Sequence, residues 1–266
     1  MRVNRFGLGE ACAAAVLMSV AAPAAAQQPS SALRLLESAA AAMGGADRLR
    51  SIENFALTGF GQQLYFEGGG NVSGDVNAPP KWRAVADAQR TFDLRNERAV
   101  NQERLSYTFP FAAPFGHSWN RNATLQTGAA MLDHPLPALL EALDPETRLG
   151  AVSIEDGMIV VQFTPDGSTS PAWIGIDPVA HLPKFSRWIT GSVNLGDLTT
   201  TAWFTGYAPV KGVQLPMGLM HEMDWRDQVS LMFQVDSYRV NVADAELPEF
   251  PAAAPTPGGT AAARAE

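Results

Sequence analysis

Four consecutive segments in the second half of the chain, 182–193, 197–207, 213–225 and 229–237, alternate apolar and polar residues with a period of two. Successive side chains of a strand point to opposite faces, so this pattern describes strands with one buried and one wet face. The connections, 194–197, 207–212 and 225–227, are short and rich in turn residues. A parallel crossover needs a dozen or more residues, so these segments form an antiparallel meander. One face carries Phe185 and Ile189, then Ala202 and Phe204, then Met217, Leu219 and Met223, then Leu231, Phe233 and Val235. Trp188 falls on the other face, among Lys184, Ser186 and Thr190.

Shorter alternating runs precede the meander at 55–65, 82–88, 90–98, 103–109, 159–163 and 174–176. A helical stripe of Leu33, Leu36, Ala40 and Met43 begins after Ser30 or Ser31, which can cap it, and stops at Gly44-Gly45. A short helix follows over 46–52, and another runs over 136–143 after Pro135. The expected fold is mainly β (α+β), with ten or eleven strands and two or three helices. A sheet that large curls, which predicts a half-barrel with the helices on its concave side. The folded part is expected over 31–250, as one domain.

Both ends read differently. Arg2 and Arg5 precede an apolar run over 11–22, and Ala24-Ala25-Ala26 offers small residues before a cut at Gln27. Charge, length and cleavage chemistry predict a secretory signal peptide over 1–26, and hence a periplasmic protein without a transmembrane segment after cleavage. Twelve apolar residues fall short of the roughly 20 a membrane span needs. Cys12 is the only cysteine and leaves with the leader, so no disulfide, thiol nucleophile or thiolate metal site is expected. Residues 251–266, rich in Pro, Ala and Gly, read as a flexible tail.

The 19 basic and 27 acidic residues give a charge of −8, which argues against a nucleic-acid partner. His117, His134, His181 and His221 are scattered, with no zinc-binding spacing. Asp133-His134 reads as a turn opening the helix at Pro135, with Asp133 at its positive end. Neither a serine-nucleophile motif nor a phosphate loop is present, since Gly68-Gly69-Gly70 lacks the Lys-Ser/Thr pair. No catalytic residue, metal or cofactor is therefore expected. What stands out is soft apolar surface. The segment 109–115 holds Phe109, Phe111 and Phe115 with two prolines, which a regular central strand would not tolerate. It reads equally as an oily flap over a cavity or as an ordinary packed loop. With Phe185, Phe204, Met217, Leu219, Met223 and Phe233 it makes up the candidate ligand cavity.

The stretch LLESAAAAMGGADRLRSIENFALTGFGQ and the run IDPVAHLPKFSRWITGSVNLGDLTTTAWFTGYAPVKGVQLPMGL resemble exported bacterial proteins of the LolA/LolB-type lipoprotein-carrier superfamily. They resemble more closely the non-catalytic N-terminal region of secreted metallo-β-lactamase-fold hydrolases. The resemblance covers about residues 33–250 and implies an eleven-stranded curved sheet closed by helices over an oily face. In the carriers that face accepts acyl chains, which implies a lipid or a lipoprotein acyl chain as ligand. The H-x-H-x-D-H zinc motif of the hydrolases has no counterpart, so their chemistry carries over to no residue. Two functions follow as expectations: a non-enzymatic periplasmic binder of a hydrophobic or amphiphilic ligand, and an accessory domain, or truncated relative, of a metallo-hydrolase that would be its partner.

Overall fold

The computed structural model describes residues 28–64, 82–109, 116–192, 196–224 and 227–251. The leader, the glycine run at 68–70, Phe111, Phe115 and the tail from 252 lie outside them. Eleven strands form one antiparallel sheet in the order β4-β3-β2-β1-β11-β10-β9-β8-β7-β6-β5. They are β1 Asn54–Leu64, β2 Trp82–Asp93, β3 Arg98–Phe109, β4 Gly116–Thr127, β5 Arg148–Glu155, β6 Met158–Thr164, β7 Ala172–Ile176, β8 Pro183–Ser192, β9 Gly196–Val210, β10 Val213–Met223 and β11 Gln228–Val240. The helices are α1 Gln28–Met43, α2 Ala46–Arg50 and α3 Pro135–Ala142, with a 3-10 turn over Gly128–Asp133.

This order sets where the chain must cross the sheet. β4 and β5 follow one another in sequence yet form the two opposite edges of the sheet. The chain between them must cross a whole face, and that crossing carries the 3-10 turn and α3. Ser186 Oγ of β8 hydrogen-bonds the Leu132 carbonyl and fixes the crossing over β8, the eighth strand of the row. α1 lies on the same face and buries Ala32, Leu36, Ala39, Ala40 and Met43. These residues, with Leu136 and Leu139 of α3, meet Phe55, Leu57, Phe92, Phe163, Phe204, Leu219 and Phe233 in one continuous core.

Several expectations are corrected. Leu33 does not face the core; it is 41% exposed. The buried stripe is alanine-rich instead, because small side chains let α1 approach the sheet closely. The run 82–88 and the first half of 90–98 are one strand, β2, while the rest of 90–98 is a 3-10 turn over Leu94–Asn96 and the start of β3. The pairing of β2 to β3 is irregular between Ala86 and Gln89. Asp87 takes a positive φ there, and this offset breaks the alternation that a sequence reading relies on. β4 and β5, the two edges, were not expected as strands. β4 (GHSWNRNATLQT) is nearly all polar, and in β5 Ile154 stands 78% exposed.

β8 is reversed relative to its expected orientation. Phe185 pairs with Trp203, and Ser186 with Ala202. Directly paired residues share a face, so Ser186 and Trp188 point to the helices with Phe204, and Phe185 points away. Phe185 is nevertheless buried, because it lies over Gly175, where any Cβ would overlap its ring. Val160 pairs with Gly175 on the same outer face and is buried too. Gly175→Ala is therefore expected to destabilise the fold by about 1–3 kcal/mol through overpacking, measured by thermal melting. Adding Phe185→Leu should recover part of the loss.

Candidate functional site

The crossing segment brings four polar side chains together under the helices. Arg90, on β2, points inward beside Phe92, its guanidinium 5.2 Å from that ring's centre. It donates to Asn101 Oδ1 at 2.8 Å and to Gln126 Oε1 at 3.3 Å. It also forms an ion pair with Asp133, the last residue of the 3-10 turn. The two side chains are only 5% and 2% exposed. Desolvating such a pair is costly, and it persists only where further hydrogen bonds satisfy it.

His134 follows and caps α3: its Nδ1 accepts from the Leu136 N–H at 3.2 Å. That leaves the proton on Nε2, which donates to Tyr238 Oη at 3.2 Å, and Tyr238 donates to the Pro216 carbonyl at 2.6 Å. The imidazole sits among Phe55, Phe92 and Tyr238, its ring centre 4.7 Å from that of Phe55. The sequence reading of Asp133-His134 as a helix-opening turn holds, with the roles divided: His134 caps, and Asp133 pairs with Arg90. Burial, and secondarily Arg90, holds His134 well below the usual histidine range.

His221 of β10 completes the group. Its ring stands edge-on to Trp188 at 6.2 Å. Burial pushes its pKa down to about 4, with Asp133 pulling up and Arg90 pushing down, so it lies within reach of both charges. Among the described residues, four buried polar atoms here have no hydrogen-bond partner: Arg90 Nη1, Asp133 Oδ1, Trp188 Nε1 and His221 Nε2. Glu103 shares this face through its register with Asn101 and Leu105, and burial raises its carboxyl against the pull of Arg90 and Arg83.

These histidines set a pH dependence. The unfolded chain takes up a proton on each near pH 6.5, whereas the folded chain does not until well below. Stability is therefore complete above about pH 6.5 and falls as pH drops, by up to about 1.4 kcal/mol per pH unit for each histidine. Glu103 and Glu141, whose carboxyls burial raises, oppose this fall at the acid end. Urea unfolding at pH 7.5, 6.0 and 5.0 should show the loss, and His221→Gln should reduce its slope.

The nine residues expected from sequence separate into distinct places. Phe204, Leu219 and Phe233 belong to the buried core on the helix side, and Met217 packs against it, half-buried. Met223 lies further along the same face, opposite Thr200. Phe185 lies on the other face. Phe109 ends β3, paired with Gly116, while Phe111 and Phe115 fall outside the described residues. Arg90, Asp133, Trp188 and His221 were not expected. The one available signal was Trp188, a large apolar ring assigned to a face of lysine and hydroxyls.

The opposite face carries a separate feature. Phe60, Gln234, Gly218 and Thr205 lie in one row across β1, β11, β10 and β9. Thr205 Oγ1 leans over Gly218, where any Cβ would overlap it, and a hollow of about 540 Å³ opens beside them, bordered by Trp203, Met220 and Met232. Phe60 is 53% exposed and Met232 41%. Among the described residues no group of His, Cys, Asp and Glu is placed to hold a metal ion, and no helix is long and apolar enough to cross a membrane.

No known protein family and no curated protein matches this sequence. Among solved structures the chain is similar to a LolA superfamily protein from Nitrosomonas europaea, with 12% identity and a TM-score of 0.42 over 82% of this chain and 94% of that one. At that degree of likeness, function rests on the chain's own residues.

Proposed function

We propose that the protein is a non-enzymatic carrier of an amphiphilic ligand, a molecule with an apolar tail and a polar head, held between the sheet and the segment that crosses it. The observation that supports this is the set of four unpartnered buried atoms on Arg90, Asp133, Trp188 and His221. Each such atom costs about 1–3 kcal/mol when left empty. A core serving only stability has no reason to keep four together. A ligand head would satisfy them.

The tail has a path beside them. On β10 and β11 burial declines along the strands, from Leu219 and Phe233 to the half-buried Met223 and Leu231. His221 pairs with Leu231, so this apolar exit begins at the polar cluster. The leader pattern at 1–26 supports a periplasmic site of action, and a lipid or acyl chain is a ligand of the right chemistry.

The test is displacement of a fluorescent fatty-acid probe, with native mass spectrometry of protein taken from the periplasm. One ligand per chain is expected, and Leu231→Trp should abolish probe binding while leaving the melting temperature nearly unchanged. Binding lost in Met232→Glu but kept in Leu231→Trp would put the ligand in the opposite hollow instead. Absence of any binding by the natural chain would end the carrier reading.

A further inference from the structure

We infer that the ligand's head is uncharged and hydroxyl-bearing, as in a glycerol monoester, and is neither a free carboxylate nor a phosphate. This deepens the carrier reading and rests on it. The inference comes from the charges around the cluster. Arg90 and Asp133 neutralise one another in their ion pair. Glu103 and Arg83 share the same face and sense one another's charge. Trp188 carries no charge, and burial keeps His221 neutral at pH 7. Among the described residues, Arg90 and Arg83 therefore stand against Asp133 and Glu103 here. An additional charged head would be desolvated without a counter-ion, which is strongly unfavourable in a buried site.

The unpartnered atoms also specify hydrogen-bonding type. Arg90 Nη1 and Trp188 Nε1 can only donate, and Asp133 Oδ1 accepts while it is ionised. His221 Nε2 does either, according to its tautomer. An occupant must thus offer acceptors and at least one donor in a small volume. A hydroxyl does both, and a glycerol ester places two hydroxyls beside ester oxygens. A carboxylate or phosphate monoester anion would present more negative oxygen toward Asp133 than the donors can offset.

The test compares three amphiphiles of equal chain length at pH 7.5, each below its micelle concentration: a monoacylglycerol, a fatty acid and an alkyl phosphate. Each displaces a headless apolar fluorophore from the full chain. The monoacylglycerol is expected to bind at least about tenfold more tightly than either anion. Trp188→Phe removes one donor while keeping an aromatic ring. It should weaken the monoacylglycerol by about three- to tenfold, the worth of one hydrogen bond, and leave the fluorophore's own affinity unchanged. Equal or tighter binding of an anion would overturn the inference. So would indifference of all three to Trp188→Phe, which would mean that the cluster holds water alone. If Trp188→Phe does not fold, the ranking of the three heads on the natural chain still decides. Failure of the carrier reading is a different result: neither the amphiphiles nor the fluorophore bind.

Discussion

Arg90→Met is expected to destabilise the protein by about 3–5 kcal/mol, one of the two largest losses we anticipate for a single substitution. The methionine fills much of the arginine's volume, so the loss is electrostatic. Asp133 would remain buried at 2% exposure with its counter-ion gone, and a buried unpaired carboxylate costs that much. For a fold of this size the melting temperature should fall by about ten degrees. Adding Asp133→Leu should recover most of the loss, because replacing both partners of a buried pair with apolar residues is often neutral or stabilising. The double variant also separates the two roles of the pair. Its stability should return, whereas affinity for an amphiphile's head should not, because Arg90 Nη1 and Asp133 Oδ1 would both be missing. Recovery of both would mean that the pair serves the fold only.

Phe204→Ala is the second large effect, also about 3–5 kcal/mol. Phe204 is almost completely buried and pairs with Leu219 on β10. Helices cover it on one side and strands surround it, so the neighbours cannot collapse into the space left behind. Truncating a buried phenylalanine loses its transfer free energy and adds the cost of a cavity. A loss below about 1 kcal/mol, read from urea unfolding, would mean that this part of the face is already open. Leu219→Trp should likewise destabilise, by about 1–3 kcal/mol, because this position is filled. Phe204, Leu219 and Phe233 are thus part of the packed core, and the proposed ligand region begins further along the same strands.

How much of this was legible in the sequence follows from what the alternation encodes. In β9, in β10 and in β11 from Leu231 to Val235 the period of two identified the correct inward residues, because each strand has one face on the core. At Val229 it did not, because a register shift turns that residue to the face of Glu222. In β8 the same reading chose the wrong face. Phe185 looked inward by hydrophobicity, but Gly175 provides it with a buried place on the outer side, and that space is a property of a neighbouring strand. The edges β4 and β5 carry little apolar alternation, since an edge strand has less core to cover. The polar cluster was hidden for another reason. Arg90, Asp133, Trp188 and His221 lie far apart in sequence and meet only because the β4–β5 connection has to cross the sheet. Pairing order alone decides that, and local pattern does not report it.

The central claim is that the head of an amphiphile sits at Trp188, on the helix-covered face. The most direct measurement is a nitrogen–proton correlation spectrum of the tryptophan side chains, with the Trp188 indole assigned through Trp188→Phe. Its unpartnered Nε1–H should shift progressively and saturate as monoacylglycerol is added, while the Trp203 indole, bonded to Glu222 at 3.0 Å on the opposite face, should stay in place. A saturating shift at Trp203 with Trp188 unmoved would contradict the account and assign binding to the hollow beside Phe60 and Met232.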